Sequence, residues 1–264
     1  MYEFEYHHPT SLDDAARLLG GGDDVKLVAG GMTLIPTLKL RLAHPSDLVD
    51  LAAVGGLKGI TEDGDAVVIG AMTRHADVNR SPVVKRAIPA LAELAGMIGD
   101  PAVRNRGTIG GSIANNDPAA DYPAAVLGLN ATVRTNKREI PADSFFTGMF
   151  ETALEPAEIV TAVRFPRPQA ANYQKFRNPA SRYAIVGVFV ARTSGGVRVA
   201  VTGAGPCVFR VPEMEAALGR SFTADAIKDI QIPQDGLNSD IHASAEYRAH
   251  LVNVMARRAV AACG

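Results

Sequence analysis

Apolar and polar positions in the first fifth of the chain follow the periods of strands and helices in alternation. Ser11 and Asp14 stand ahead of an apolar helical pattern that three glycines end, which is typical of a capped helix. A continuous apolar run then leads into Gly30 and Gly31, where we expect a turn. The pattern predicts strands at 2–6, 25–29 and 48–51 and helices between Ser11 and Gly20 and at 38–42. These elements predict a small βαβ-like unit.

Beyond Gly55 the pattern changes to short strands joined by tight turns. An acidic segment, residues 62–65, separates two apolar runs and is typical of a hairpin turn. Ser81 followed by Pro82 predicts a helix start, and Pro89 predicts a kink in that helix. The pattern predicts strands at 57–61, 66–69, 131–135 and 159–165, helical segments at 82–97 and 124–129, and a linker at 166–168.

The last third of the chain has a different plan, in which strands come first and helices follow. Its pattern predicts strands at 173–177, 185–192 and 197–201 and helices at 213–218, 224–230 and 243–262. Tyr247, Leu251, Met255 and Ala259 recur at helical spacing on the last helix, so we interpret this stripe as core or as an interface. The order of the elements predicts an α+β fold.

Charge and cysteine content narrow the possible functions. The chain carries 27 Lys and Arg against 28 Asp and Glu, a formal net charge of −1, so no overall field draws it to nucleic acid or an anionic membrane. No signal peptide or bilayer-spanning run is evident, and we expect a cytoplasmic protein without a membrane span. Two distant cysteines, Cys207 and Cys263, and scattered histidines predict no disulfide framework, zinc site or iron–sulfur cluster. Electron transfer through this chain therefore needs an organic cofactor.

Residues 104–123 are rich in glycine, hydroxyl and acidic side chains. The glycines let backbone N–H groups approach a ligand, and Thr108 and Ser112 place hydroxyls beside them, which suits a diphosphate. Carboxylates in the same stretch would then face the neutral, hydroxyl-bearing part of the ligand. Asp117 and Asp121 are both candidates for this role, although Asp117 precedes a proline and also suits a turn. A glycine-rich structural connection explains the same residues equally well.

A second glycine turn, Gly30-Gly31, follows a predicted strand, at the position where open α/β folds expose backbone amides to ligands. Taken alone, it is more simply a structural turn. Neither turn fits GxGxxG, and GxxxxGK[ST] and GxSxG are absent, so Rossmann and P-loop nucleotide binding and a serine nucleophile lose support. The nucleotide-binding mode that is left is one in which two separate turns hold the nucleotide.

Two side chains of the last third are further candidates. Lys175 lies between Tyr173 and Phe176 on a predicted strand and could place an ammonium near a flavin or a phosphate, although a solvated strand lysine is commoner. Tyr183 could stack on a flat ring or simply pack in the protein.

The two turns together resemble a known family. Residues Ala29–Pro36 and Thr108–Ser112, taken as a pair, look like stretches of the FAD-binding medium subunit of the molybdenum hydroxylases, the group with aerobic carbon monoxide dehydrogenase and xanthine dehydrogenase. The resemblance covers nearly the whole chain. Further similar stretches are Leu40–Pro45, Thr152–Pro156, Arg164–Pro166, Tyr183–Ala184 and the segment 245–260.

This resemblance implies a fold and a set of site residues. The implied fold is a FAD-binding domain at 1–168, of the vanillyl-alcohol-oxidase or PCMH-like type with α/β subdomains at about 1–55 and 56–168, followed by a domain at 169–264 with a three-stranded antiparallel sheet and a helical bundle. Asp121 falls on an acidic position near the cofactor, and Lys175 and Tyr183 match positions close to the flavin ring. Thr33 keeps the hydroxyl of a usual serine, whereas Met32 replaces a polar residue. The implied diphosphate-binding residues are Ala29, Gly30, Gly31, Met32, Thr33, Leu34, Thr108, Ile109, Gly110, Gly111 and Ser112.

The resemblance also implies an electron-transfer role. Electrons would pass from a molybdenum cofactor in a large subunit, through 2Fe–2S clusters in a small subunit, to FAD in this chain and on to a quinone, NAD or oxygen. The implied assembly is a dimer of heterotrimers. Two alternatives are a flavin-free structural or assembly subunit of such a complex and, less well supported, a stand-alone FAD oxidase. The residues of this chain do not identify the substrate, which the resemblance assigns to a partner.

Overall fold

The computed structural model describes residues 1–263, which form three larger sheets, a two-stranded hairpin and the helices around them. The strands are β1 Glu5–His7, β2 Val25–Val28, β3 Asp47–Asp50, β4 Ile60–Asp63, β5 Ala66–Gly70, β6 Thr132–Thr135, β7 Glu139–Pro141, β8 Phe146–Gly148, β9 Glu151–Thr152, β10 Val160–Pro166, β11 Ala170–Arg177, β12 Ala184–Thr193, β13 Gly196–Thr202 and β14 Phe209–Arg210. The α-helices are α1 Leu12–Leu19, α2 Leu34–Lys39, α3 His75–Arg80, α4 Pro82–Ala87, α5 Pro89–Met97, α6 Pro101–Arg104, α7 Ile109–Asn115, α8 Tyr122–Gly128, α9 Ala142–Phe145, α10 Pro212–Arg220 and α11 Ala245–Ala262.

The N-terminal sheet is parallel and has the strand order β1-β3-β2. Its first crossover helix, α1, begins where the sequence predicts, because the Ser11 side chain accepts a hydrogen bond from the Asp14 amide. Ala15 on this helix is fully buried and belongs to a core cluster with Val25 and Val49 of the sheet. The carboxyl ends of β2 and β3 therefore lie side by side, and the Gly30-Gly31 turn leaves the sheet at this edge.

The central sheet is antiparallel, with the order β4-β5-β10-β6-β7. Its inward-facing side chains, such as Ile69 on β5 and Val163 and Phe165 on β10, are fully buried. They form one core cluster with α5, α7 and α8, whose apolar faces cover the sheet. This packing brings the start of α7, and with it the second glycine turn, back toward the N-terminal sheet.

The C-terminal sheet is antiparallel, with the order β11-β12-β13-β14. The three predicted strands are present, and the two-residue strand β14 extends the sheet. Strand β12 is buried on both faces: Phe189 and Ala191 belong to the core of the central sheet, whereas Val188 and Val190 pack with α10 and α11. The C-terminal sheet thus lies between two hydrophobic cores and contributes side chains to both. The α+β fold class predicted from the sequence is confirmed.

Helix α11 is the last helix described and spans 18 residues. Leu251, Met255 and Ala259 of its predicted stripe are buried against the C-terminal sheet, whereas Tyr247 is 43 % exposed. No helix within residues 1–263 combines the length and the apolar character that crossing a bilayer requires.

Some local predictions were wrong. The helix expected at 38–42 is α2, Leu34–Lys39, because Pro36 lies in the first turn of the helix, where a proline needs no N–H acceptor. The segment expected as a helix at 224–230 is a short 3-10 turn at Ala224–Ile227. Pro89 does more than kink a helix, since α4 ends at Ala87 and α5 begins at Pro89. Strands β7, β8 and β9 were missed because two or three residues carry too little alternation to detect.

An ion pair between the buried Glu158 and the partly exposed Arg138 links the segment before β10 to the β6–β7 turn. The Glu158 side chain has no exposed surface and accepts hydrogen bonds from Arg138 Nε at 3.0 Å, Thr135 Oγ1 at 2.8 Å and the Glu155 amide at 2.8 Å. Burial alone raises the pKa of Glu158, but these hydrogen bonds outweigh it and lower the pKa to about 2.

We predict that this ion pair makes the free energy of unfolding depend on pH in the acidic range. Because the pKa in the fold is about 2 against an ordinary 4.5, the carboxylate stabilises the fold above pH 4.5, and that stabilisation is lost as the pH falls toward 2. Urea unfolding of the wild type and Glu158→Gln between pH 7 and about pH 3 measures the effect. The difference between their free energies of unfolding should shrink with acid. Glu139→Gln, at an exposed position, is the control. A difference in free energy of unfolding between the wild type and Glu158→Gln that does not change with pH would contradict the stabilising role of the Glu158 carboxylate.

Candidate functional site

A cleft of about 610 Å³ opens where loops of the three sheets meet. This volume lies within the range of small-molecule and cofactor sites. Both glycine turns line the cleft, and Tyr183, on the β11–β12 connection, lines it as well. Of the site residues predicted from the sequence, those that line the cleft are Ala29, Gly30, Gly31, Met32, Thr33, Leu34, Thr108, Gly110, Gly111, Ser112, Asp121 and Tyr183.

The first turn, Ala29–Thr33, presents a continuous run of free backbone amides. Gly31 has a φ of 70°, a left-handed conformation that glycine adopts without strain, and it reverses the chain between β2 and α2. Within the described residues, the amides of Ala29 through Leu34 donate no hydrogen bond to another protein atom. The Thr33 hydroxyl caps no amide of α2. Consecutive unpaired amides in a tight turn form a concave binding site for anionic oxygens.

The second turn, Thr108–Ser112, offers fewer free donors than the sequence suggested. The Ile109 and Gly110 amides donate to the carbonyls of Thr73 and Ala71, at 3.1 Å and 2.8 Å. Thr108 caps α7, with its Oγ1 accepting from the Gly111 amide at 3.2 Å. The expectation that all these amides face a diphosphate therefore needs correction, because most are used inside the fold. The Cα face of Gly111 and the side of Ser112 remain directed at the cleft.

The two turns touch each other through their backbones. A Cβ at position 30 would lie 2.7 Å from Gly107 Cα and closer still to the Arg106 carbonyl oxygen, so only glycine fits there. Gly111 faces the first turn as well, since a Cβ at that position would lie 3.5 Å from the Ala29 Cβ. The free amides of the first turn are thus held directly against the start of α7.

Asp121 lines the cleft and is the centre of a buried polar cluster. Asp121 is only 4 % exposed. Its Oδ1 accepts a 2.6 Å hydrogen bond from the Tyr173 hydroxyl, and its Oδ2 accepts a 2.9 Å hydrogen bond from Lys175 Nζ. Burial raises the pKa of Asp121, and the Lys175 ammonium and the Tyr173 hydroxyl oppose that rise. Lys175 also donates to the Met97 carbonyl at 3.2 Å. Lys175 thus stands behind Asp121 and does not line the cleft itself.

Two exposed aromatic residues, Tyr183 and Phe150, also line the cleft. Tyr183 is 45 % exposed and follows Arg182, whose φ of 64° is unusual for a residue with a side chain. Burial, followed by the nearby carboxylates of Asp117 and Asp121, raises the pKa of the Tyr183 phenol. Phe150, at the tip of the β8–β9 hairpin, is 56 % exposed and has a φ of 56°. Strained backbone such as that of Arg182 and Phe150 clusters at ligand sites, and the exposed rings of Tyr183 and Phe150 are available to pack on a flat ligand.

A second buried pair lies below the glycine turns. His75 lines the cleft, and its ring centroid lies 5.3 Å from that of Tyr122. Burial, with a smaller contribution from Arg104, lowers the pKa of His75 to about 4, so its ring is neutral at neutral pH. Both side chains are buried, and no periodic pattern or motif points to either of them in the sequence.

The structure separates the predicted residues by role. Ile109 is fully buried in the core and contacts no part of the cleft with its side chain. Asp117 forms the predicted turn, since its Oδ1 accepts from the Ala119 amide at 2.9 Å. Phe150, His75 and Tyr173 were missed as site residues. Of these, only Tyr173 had a usable signal, because it precedes Lys175 by two positions on a strand and so shares its face.

The fold and the cleft together define a nucleotide-binding protein in which paired glycine turns from two sheets meet at an anion-binding run of amides. Comparisons identify the family. Residues 2–168 match the family described as the FAD binding domain in molybdopterin dehydrogenase, and residues 171–263 match the CO dehydrogenase flavoprotein C-terminal domain. The chain belongs to this family of FAD-binding medium subunits.

Individual relatives cover nearly the whole chain. The carbon monoxide dehydrogenase medium chain of Hydrogenophaga pseudoflava is 38 % identical over 274 residues, which span 97 % of this chain and 96 % of the relative. The nicotine 6-hydroxylase medium subunit of Paenarthrobacter nicotinovorans is 38 % identical over 273 residues, spanning 98 % and 96 %. A solved Hydrogenophaga pseudoflava carbon monoxide dehydrogenase that lacks the Mo-pyranopterin moiety superposes with a TM-score of 0.90 at 40 % identity, covering 99 % of this chain and 97 % of that chain.

These matches confirm the family predicted from the paired turns, with FAD as the cofactor of this chain and an oxidoreductase as its class. The residues present fit FAD on physical grounds as well. The free amides of Ala29–Leu34 suit a diphosphate, and the exposed ring of Tyr183 suits an isoalloxazine.

We predict that Gly30→Ala destabilises the fold by about 2 kcal/mol, because the added methyl group overlaps the backbone of residues 106–107. Gly219→Ala on α10 is the matched control: its Cβ meets no described atom within 4 Å, so it should leave stability unchanged or raise it by up to about 1 kcal/mol. Urea unfolding of both variants checks this. Wild-type stability in Gly30→Ala would show that the turns do not touch as described.

Proposed function

We propose that this chain is the flavoprotein subunit of a molybdenum-containing hydroxylase, in which FAD accepts electrons from 2Fe–2S clusters of a small subunit and passes them to an external acceptor. The molybdenum cofactor would lie in a large subunit, and the assembly would be a dimer of heterotrimers in the cytoplasm. A quinone, NAD or oxygen would serve as acceptor. The run of free amides at Ala29–Leu34, held against the start of α7, is the observation that carries the proposal.

The residues of this chain have distinct tasks in this proposal. The amides and hydroxyl of the first turn bind the diphosphate, while Ser112 and the bare Cα of Gly111 close the site from the second turn. Tyr183 packs on the flavin ring, and Asp121, backed by Lys175, faces it with a fixed carboxylate. FAD itself supplies the redox chemistry, and the protein supplies binding, orientation and electrostatics.

We also propose a division of labour between subunits. The relatives bear the names of enzymes that act on unrelated compounds, carbon monoxide and nicotine, while their medium subunits align with this chain over nearly their whole length. Substrate choice would therefore rest with the large subunit. The domain division at residue 168, with subdomains at about 1–55 and 56–168 and a C-terminal domain at 169–264, assigns cofactor binding mainly to the first part of the chain.

The second glycine turn gives the sharpest test of FAD binding. Gly111→Val should strip FAD, because its side chain enters the narrow space between the two turns, whereas Asp121→Ala should weaken FAD binding less, since it adds no bulk there and leaves the free amides of the first turn in place. Gly219→Val, a valine at an uncrowded helix position, is the control for helix propensity. The measurement is the flavin content of each purified complex, from its visible absorbance, and the FAD dissociation constant.

Equal flavin content in Gly111→Val and Gly219→Val would refute the site. A complex that contains molybdenum and iron but no flavin, even after FAD is added, would support the structural-subunit alternative. Flavin without molybdenum or iron in any co-purifying chain would instead support a stand-alone oxidase.

A further inference from the structure

We propose that the C-terminal sheet is a positioning device for the flavin site, in which Tyr173, Lys175, Thr202 and the side-chain-free Gly187 fix the Asp121 carboxylate at the edge of the cleft. The proposal rests on the proposed function, since it takes FAD as the ligand that Asp121 faces. It assigns a role in cofactor binding to residues outside the glycine turns.

Tyr173 and Lys175 reach Asp121 from one face of a single strand. They stand two residues apart on β11, so their side chains project to the same side of the sheet. Each binds a different carboxylate oxygen, at 2.6 Å for the Tyr173 hydroxyl and 2.9 Å for Lys175 Nζ. Two bonds to two oxygens fix the rotation of the carboxylate as well as its position. The Lys175 ammonium also balances the carboxylate charge within the protein.

Gly187 makes room for the Tyr173 hydroxyl. On the neighbouring strand β12 it pairs with Lys175, which places it diagonally across from Tyr173. A Cβ at position 187 would lie 2.9 Å from Tyr173 Cζ and closer still to the Tyr173 hydroxyl oxygen. Any side chain at this position would therefore push the hydroxyl away from Asp121.

Strand β13 holds the backbone that leads to Asp121. Thr202, which pairs with Gly187, donates a hydrogen bond to the Ala120 carbonyl at 2.6 Å and lies 3.1 Å from the Pro118 carbonyl oxygen. The next amide, that of Gly203, donates to the Pro118 carbonyl at 2.8 Å. The C-terminal sheet therefore fixes both the carboxylate and the chain that carries it.

The Asp121 carboxylate keeps acceptor capacity for a ligand. An ionised carboxylate has about four lone-pair sites, and Tyr173 and Lys175 use one on each oxygen. Asp121 also lines the cleft. The geometry suits an N–H or O–H donor of the flavin or its ribityl chain. A fixed carboxylate binds such a donor without losing side-chain freedom at that moment.

A double-mutant cycle between Gly187→Ala and Tyr173→Phe tests the proposal in the purified complex. Each single change removes the hydroxyl from Asp121, one by displacement and one by deletion, so each should raise the FAD dissociation constant about 10-fold. The double variant should stay close to Tyr173→Phe alone and well below the product of the two single effects, because the hydroxyl is gone and the methyl group crowds only the ring carbon Cζ and the Thr202 methyl. The midpoint potential of the flavin should also move by the same amount in all three variants, which a purely structural role would not produce.

Multiplied effects, about 100-fold in the double variant, would overturn the link between Gly187 and Tyr173. Wild-type FAD affinity and potential in Tyr173→Phe would overturn the positioning role while leaving the proposed function intact. A wild-type complex that binds no FAD would instead refute the proposed function on which this inference rests.

Thr202→Val gives a second test, for the case in which Gly187→Ala does not fold. One of its two readouts, hydrogen exchange, can be measured without flavin. The substitution should speed hydrogen exchange at the Gly203 amide, whose acceptor is the Pro118 carbonyl, and weaken FAD binding. Gly219→Ala should change neither quantity. Unchanged exchange together with unchanged FAD affinity in Thr202→Val would contradict the role of β13.

Discussion

The contact between Gly30 and the backbone of residues 106–107 is the constraint on which the site depends. The first turn leaves the parallel N-terminal sheet, and the second begins a helix packed on the antiparallel central sheet, so their meeting fixes one sheet relative to the other. A side chain at position 30 would separate them. The same contact places six consecutive free amides, Ala29–Leu34, at the wall of the cleft. Neither turn completes a single-loop nucleotide motif because the site is divided between them.

The C-terminal sheet supports the Asp121 side chain that lines the cleft. Its central strand is buried on both faces, one in the core of the central sheet and one against α11, so it behaves as a rigid wall. Tyr173 and Lys175 extend from this wall to Asp121, and the β11–β12 connection brings Tyr183 to the cleft. The cleft is thus lined by residues from all three sheets and their connections. The family match likewise covers both parts of the chain, residues 2–168 and 171–263.

Local chemistry explains which features could be predicted from the sequence. Ser11 and Ser81 begin helices because their side chains cap amides three residues away, and such short-range bonds leave a readable pattern. The glycine turns were recognisable for the same reason. The sequence could not show that the amides of residues 109–112 are already hydrogen-bonded within the protein, because their acceptors include the carbonyls of Ala71 and Thr73, which lie far away in sequence. Contacts that cross between sheets, and the positive φ of Phe150, depend on tertiary packing and leave no periodic signal.

Hydrogen–deuterium exchange at the amides of Ala29–Leu34, measured on the purified complex with and without FAD, tests the central claim most directly. These amides have no acceptor among residues 1–263, so they should exchange rapidly in the absence of FAD. We predict that FAD slows their exchange strongly, with a smaller effect at residues 109–112. Tight FAD binding that protects other segments but leaves Ala29–Leu34 unchanged would contradict the assignment of the first glycine turn as the diphosphate site.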